Sequence, residues 1–293
     1  MERIKKLLGD GTKKFIIKLL FPLRNRFVLL EAKCAKNKHV NLNYCNIPNL
    51  GDQISPIVVN HMLSGQAISP DAPTSKTQHF CAIGSVLTAG IQDCTVWGSG
   101  VLSSTLTYRL KRRKLDIRAV RGPITRAVLM DYGYNVPEIY GDPAILMPDI
   151  YTPSNIKKTN RFGLVFHFAE VDEKDNYITK IKSKSDAYAD IKHIDISTSD
   201  YKSFVDSILS VDVVISQSLH GIILAEAYGI PSVLLRPRNS HLKYSDWYFS
   251  TGRLEFPIAN SVREAMNITP PDIPDLSLLK KKLVASFPYD IYS

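Results

Sequence analysis

One segment of the sequence places hydroxyls, an amide, an imidazole and a glycine where a strand should become a helix. Val211–Pro231 reads VDVVISQSLHGIILAEAYGIP. The β-branched run Val211–Ile215 predicts a buried strand. The apolar stretch after His220 predicts a helix that stops at Gly229 before Pro231. Ser216, Gln217, Ser218, Leu219, His220 and Gly221 then fall at a helix N-terminus, where free backbone N–H groups and the dipole favour an anion such as phosphate or carboxylate. Gly221 lets the backbone approach a ligand closely, and His220 is the only residue there able to exchange a proton near neutral pH. The competing structural account makes Ser218 a helix cap and His220 a buried hydrogen-bonding residue.

Further candidates follow other expected strands. In YCNIPNLGDQISP (44–56), Asn49 and Asp52 are polar groups that could hold sugar hydroxyls, or Asp52 is simply a helix cap. WGSG (97–100) and RGPITR (121–126) each carry glycine where a close ligand or a tight turn is needed, though WGSG is too short for a nucleotide fingerprint. Arg121 stands just ahead of Pro123, a first-turn residue, so its guanidinium could reach into a cleft. YGDP (140–143) predicts a turn in which Asp142 caps or orients Arg121. RPRNSHLKYSDWYFSTGR (236–253) sets four cations among aromatics directly after a strand: a solvated loop, or a site for an acidic metabolite or a sugar. His167, at the end of the strand Gly163–Phe166, is a weaker candidate.

The elements that must position these residues alternate. Strands are expected at His79–Ile83, Cys94–Trp97, Ile117–Val120, Arg161–Phe168, His193–Ile196, Val211–Ser216 and Ser232–Arg236, and helices near 52–64, 123–132, 199–210, 219–228 and 275–286. That pattern predicts an α/β fold with mainly parallel sheets covered by helices on both faces, ligands binding beyond the carboxyl ends of the strands. The Pro/Asn/Thr-rich stretch 147–160 is the expected linker. It divides the chain into an N-terminal arm (1–38), a first α/β domain (39–150) and a second (151–293). Over 293 residues, 44% apolar and 22% charged residues exclude a mostly disordered chain. Cys34, Cys45, Cys81 and Cys94 form no CxxC pair and no His-bracketed spacing, which argues against a zinc ribbon and for reduced thiols in a cytoplasmic protein.

Taken in order, NLGD (49–52), WGSG (97–100), AVRGP with TR (119–126), YGDPA (140–144), VFH (165–167), SLHG with AEAYGIP (218–231) and KYSDWY with STGR (243–253) resemble the polysaccharide pyruvyl transferase family over about residues 40–255. The resemblance implies two Rossmann-like halves facing across a cleft, as in B-type glycosyltransferases. It implies transfer of pyruvate from phosphoenolpyruvate to two hydroxyls of a sugar or lipid-linked oligosaccharide, forming a cyclic ketal, with no metal or nucleotide cofactor. By position, His220 would match the general acid. Arg121, Ser218, Leu219 and Gly221 would line the donor site, with Arg236, Arg238 and Lys243 as cations. Asn49 and Asp52 would face the acceptor, with Trp97, Ser99 and His167 beside them. Better-studied members carry an arginine before the Leu-His pair; this chain has Ser218. Two other readings stand beside this one. One is a B-type glycosyltransferase using a nucleotide sugar, because AEAYGIP with Glu226 looks like the nucleotide-ribose motif of those enzymes. The other is a non-catalytic membrane-associated assembly factor.

Basicity is concentrated at one end. Residues 1–40 hold eleven Lys or Arg against three acids, a surplus of eight within a net +9, so the remainder is nearly neutral and lacks the basic folded face of a nucleic-acid binder. Lys13–Leu20 (KKFIIKLL) mixes apolar and basic residues before Pro22, as a helix lying on an anionic membrane surface does; a packed surface helix would read the same. Lys18 interrupts the apolar stretch and no small-residue cleavage site follows, against a signal peptide. The expectation is a cytoplasmic protein, with the arm either lying on the inner face of the membrane or packed as a surface helix. Deleting residues 1–38 is expected to abolish binding to anionic vesicles in a sedimentation assay, and unchanged binding sinks the membrane reading.

Overall fold

The structure is a computed structural model that describes residues 40–45, 47–65, 79–90, 92–168, 188–237 and 240–291. The N-terminal arm and Arg238 lie outside these residues. Among the described residues no helix is long and apolar enough to cross a membrane.

Two parallel sheets organise the chain. The first has the order β1 (Asn41–Leu42), β2 (His79–Cys81), β3 (Cys94–Trp97) and β4 (Leu115–Ala119). Helices α1 (Leu50–Ser64) and α2 (Pro123–Asp131) flank it in sequence. A 3-10 turn, Pro143–Leu146, runs into the short helix α3 (Met147–Ile150), and residues 151–159 then cross to the second sheet without regular structure. That sheet is built from β5 (Asn160–Val165), β6 (Ile191–His193), β7 (Val211–Ser216), β8 (Ser232–Leu235) and β9 (Ile258–Ala259), in the order β6-β5-β7-β8-β9. Its helices are α4 (Tyr201–Leu209), α5 (Leu219–Ala227), α6 (Leu242–Ser250) and α7 (Val262–Asn267), and α8 (Ser277–Ala285) follows.

The expected alternation is present, with shifted boundaries: β4 begins two residues early, β6 ends where the strand predicted at His193–Ile196 was to begin, β5 and β2 stop short of the expected Phe168 and Ile83, and the expected linker opens with helix α3. The larger correction is 236–253. Its centre is helix α6, and Tyr244, Asp246, Trp247 and Tyr248 are buried on it rather than solvated in a loop.

α5 explains how the sheets are joined. Leu219, Gly221, Ile222, Ile223, Leu224, Ala225 and Glu226 are all buried, so the helix has no solvent face and must be enclosed. It packs on β7 and β8 on one side and on the Pro143–Leu146 turn and α3 on the other. One apolar cluster accordingly contains Leu42, Ile54 and Phe80 from the first half and Val165, Val214 and Ile223 from the second. The chain's end returns to the first sheet. Trp97 Nε1 donates to the Leu283 carbonyl at 2.9 Å, Phe287 lies edge-on to the Trp97 ring at 4.8 Å, and Arg118 grips both carboxylate oxygens of Asp290 at 3.0 and 2.8 Å.

A buried ion pair ties α6 to the first half. Arg121 Nε meets Asp246 Oδ2 at 3.0 Å, both side chains being fully buried. Asp246 also accepts the Thr125 N–H at 2.9 Å and hydroxyl at 2.6 Å. The glycines around Arg121 make room for this contact: a Cβ on Gly100 would lie 2.4 Å from Arg121 Cζ, and one on Gly122 1.9 Å from the Asp246 carbonyl oxygen. Removing one member strands the other charge away from water. Asp246→Ala is therefore expected to lower stability by about 3–5 kcal/mol, measured by urea unfolding.

Candidate functional site

The carboxyl ends of both sheets open onto one pocket of about 730 Å³. Asn49 and Asp52 reach it from the β1–α1 connection, Gly84–Val86 from beyond β2, and Leu102–Thr105 from beyond β3. From the second sheet come His167 after β5, Gln217 to His220 after β7, and Pro237, Ser240, Lys243 and Tyr244 after β8. These are the loops where parallel sheets bind ligands. Residues at or near the N-termini of α1, α5 and α6 line the same space, so three positive dipole ends face it.

His220 belongs to the second half by sequence but is seated in the first. Its ring lies against Gly51, where a Cβ would come within 1.8 Å of Nδ1, and against Gly84, whose φ is +87°. Gly51 is glycine because the imidazole occupies its side-chain space. The His220 side chain is 12% exposed, and its Nε2 lies 3.6 Å from Asp142 Oδ2. Asp142 caps the Pro143–Leu146 turn, accepting the Ala144 N–H at 3.1 Å, and also accepts the Gly84 N–H at 3.3 Å. The capping half of its expected role holds. Orienting Arg121 does not, because Arg121 is held by Asp246 and Asp142 faces His220.

Ser216 and Ser218 set the turn before α5: Ser216 Oγ accepts the Ser218 N–H at 3.0 Å and donates to the Ser218 carbonyl at 2.8 Å. Ser218 holds the N-cap position, yet its hydroxyl makes no cap hydrogen bond, and Ser218 and Leu219 line the pocket. Gly221 serves packing, because a Cβ there would meet Ser216 Oγ at 2.4 Å.

Lys243 is half-buried and lines the pocket; its ammonium lies 3.4 Å from His167 Nε2 and 5.0 Å from the Tyr244 ring centre. Burial, reinforced by the Arg121 charge, lowers its pKa to about 8, with Asp52 pulling the other way. Burial raises the Asp52 pKa, against its hydrogen bond from Asn49 Nδ2 at 2.7 Å and the positive fields of His220 and Lys243.

The structure thus brings together Asn49, Asp52, His167, Ser218, Leu219, His220 and Lys243. It leaves out five expected members, the first being Gly221, which packs against Ser216 instead. Arg121 is fully buried, its remaining N–H groups donating to Ser85 Oγ at 2.7 Å and the Val101 carbonyl at 2.9 Å. Trp97 is a core anchor with no exposed surface. Ser99 supports the Gly84 loop from behind, donating to the Gly84 carbonyl at 2.9 Å and accepting the Leu87 N–H at 3.1 Å. Arg236 bonds Asn260 Oδ1 at 2.6 Å and does not line the pocket. Glu226 is also spent: Arg253 binds both its oxygens at 2.7 and 2.9 Å, Trp247 Nε1 donates at 2.9 Å and Ser232 at 3.2 Å.

Sequence reasoning missed the hydroxyl rim Ser103–Thr105, for which the polar run after an expected strand was the available signal. Gln217 was read only as part of the turn. Its Nε2 donates to the Arg236 carbonyl at 3.2 Å, and its buried Oε1 has no partner among the described residues.

By themselves, fold and pocket define an α/β protein with a donor-rich pocket at the carboxyl ends of two parallel sheets. Residues 93–239, half of the chain, match the polysaccharide pyruvyl transferase family, and the chain belongs to it. It is similar to the uncharacterized protein L143 of Acanthamoeba polyphaga mimivirus, 27% identical over 207 residues that cover 69% of this chain and 68% of that protein. It is also similar to the succinoglycan biosynthesis protein ExoV of Rhizobium meliloti strain 1021, 27% identical over 160 residues that cover 54% of this chain and 47% of ExoV. The chain thus aligns with just under half of ExoV's length. No solved structure matches it.

With a pKa near 8, Lys243 carries its charge below that pH and loses it above. Binding of inorganic phosphate, followed by calorimetry, is expected to weaken as pH rises from 7 to 9. Lys243→Met is expected to bind more weakly at pH 7 and to lose that dependence.

Proposed function

We propose that the protein transfers pyruvate from phosphoenolpyruvate to two hydroxyls of a sugar in a polysaccharide or glycan precursor, leaving it as a cyclic ketal, with His220 as the general acid. The pocket is then the cleft between two halves arranged as in B-type glycosyltransferases. The observation that carries this reading is the meeting, in one pocket, of His220, the α5 N-terminus and Lys243.

The chemistry follows from the donor. Phosphoenolpyruvate is a small polyanion, which helix N-termini and an ammonium hold well. His220 as imidazolium protonates the methylene carbon, making C2 electrophilic. One sugar hydroxyl adds at C2, its proton returning to the imidazole. The C–O bond to phosphate breaks, the second hydroxyl closes the ring, and its proton leaves with the phosphate. Every bond change is met by donor, acceptor and one histidine. Asn49, Asp52 and His167 are assigned to the acceptor, and the Ser103–Thr105 rim supplies hydroxyl partners beside them.

The nucleotide-sugar reading rested on Glu226 as a ribose ligand. Both its oxygens are engaged by Arg253 in the core, away from the pocket, so this observation favours the pyruvyl reading. His220→Ala is expected to lose about 10²–10⁴-fold in turnover while retaining phosphoenolpyruvate binding. The assay follows phosphate release and a lipid-linked glycan product heavier by one pyruvyl unit; near-normal turnover refutes the assignment.

A further inference from the structure

The geometry points to Asp142 as the positioning residue of His220: its carboxylate takes the Nε2 proton and so fixes Nδ1 as the nitrogen that gives up and recovers a proton. This rests on the reading of His220 as the acid and names the group that sets which of its nitrogens acts.

Four observations converge on it. Nε2 of His220 is buried, makes no hydrogen bond to any described residue, and faces Asp142 Oδ2 at 3.6 Å. Asp142 is fully buried and cannot swing away, because its oxygens accept the Ala144 and Gly84 N–H groups at 3.1 and 3.3 Å. The ring cannot turn freely either, being bounded by Gly51 along Nδ1 and by Gly84 along Cε1. Yet His220 still lines the pocket. Asp52 also feels the charge of this ring, but Asp142 is the carboxylate within ion-pair distance of Nε2. A buried ring nitrogen facing a carboxylate keeps its proton toward it, which leaves the other nitrogen to exchange. A separation of 3.6 Å without ligand is one that a bound substrate can tighten into a hydrogen bond.

The assignment gives the YGDP motif a second task. The Asp142 carboxylate caps the turn that packs on α5, and it also reaches the imidazole that α5 presents. One side chain thereby couples the placement of the helix to the orientation of its histidine. In the proton cycle, the imidazolium holds Nε2–H toward Asp142 throughout. Nδ1–H passes to the methylene carbon, and bare Nδ1 then accepts the proton of the attacking hydroxyl.

The test is the ring ¹⁵N spectrum of His220 in the full-length protein without substrate, at a pH where the imidazole is neutral. The expected result is a single Nε2–H tautomer whose N–H proton is protected from solvent exchange, with Asp142→Asn giving a mixed or exchange-exposed ring. An Nδ1–H tautomer or a mixture in the unaltered protein overturns the inference, as does an Asp142→Asn spectrum identical to it. If Asp142→Asn fails to fold, the spectrum of the unaltered protein decides alone. Kinetics give a second measure. Asp142→Asn is expected to lower turnover by up to about 10⁴-fold, as when the carboxylate that fixes a catalytic imidazole's tautomer is lost, and to cost nothing further in a His220→Ala background. Equal losses in both backgrounds mark a purely structural cap and overturn the inference. Normal turnover by His220→Ala, with the spectrum as expected, instead removes the acid reading and leaves the Asp142 contact standing.

Discussion

Arg121 and Asp246 meet 3.0 Å apart with no solvent around either, and both walls of the pocket are fixed by that contact. From Arg121 the guanidinium also holds Ser85 and the carbonyl just before Leu102, two points on the first half's lining. From Asp246, one helical turn back along α6, comes Lys243 on the second half's lining. A buried ion pair is weak evidence of net stability, because desolvation offsets most of its Coulomb attraction. Its effect here is geometric. The pair ties the Ser85 loop, which Arg121 also holds, to α6, which carries Asp246. Arg121 also holds a positive charge near Lys243, adding to the burial that lowers the lysine's pKa.

Much of the architecture was legible because it is written in local pattern. Short β-branched runs separated by helical-length segments describe a parallel α/β protein with no knowledge of what packs on what. β7 and α5 are the plainest case: the VDVVIS run and the apolar stretch after it are a strand and a helix in the structure, within a residue of where the pattern put them. α6 was illegible for a physical reason. Its polar and aromatic residues read as a solvated loop or a ligand-binding loop, because nothing nearby in sequence says that Asp246 will be neutralised by Arg121 or that Trp247 will find Glu226, 21 residues back. Charges that pair over long sequence separations look exposed until the fold is known.

The same limit divides the candidate site. Residues whose role follows from the helix terminus they occupy (Ser218, Leu219 and His220 before α5, Asn49 and Asp52 before α1) were found from sequence and do line the pocket. Residues whose type merely suited the chemistry fared worse. Arg121 has the right guanidinium, but two neighbouring glycines exist to let it turn into the protein. Gly51 was read as part of a loop motif, whereas its lack of a side chain is what admits the imidazole of a residue 169 positions away. No local signal can reveal a glycine kept for a distant ring.

The departure at Ser218 then acquires a structural answer. Among the described residues lining the pocket, Lys243 is the one lysine or arginine, since Arg121 is committed to Asp246 and Arg236 to Asn260. A guanidinium projecting from the α5 turn would present a rigid fork to a carboxylate or phosphate. An ammonium reaching in from α6 is a compact point charge whose own protonation responds to its surroundings. Burial brings its pKa to about 8, so the lysine is still largely charged at pH 7, and a neighbouring anion favours that charged form. The helix termini contribute a fixed potential that no titration alters. On the proposed reading, a donor site assembled in this way would need no cation on the α5 turn, where this chain has Ser218.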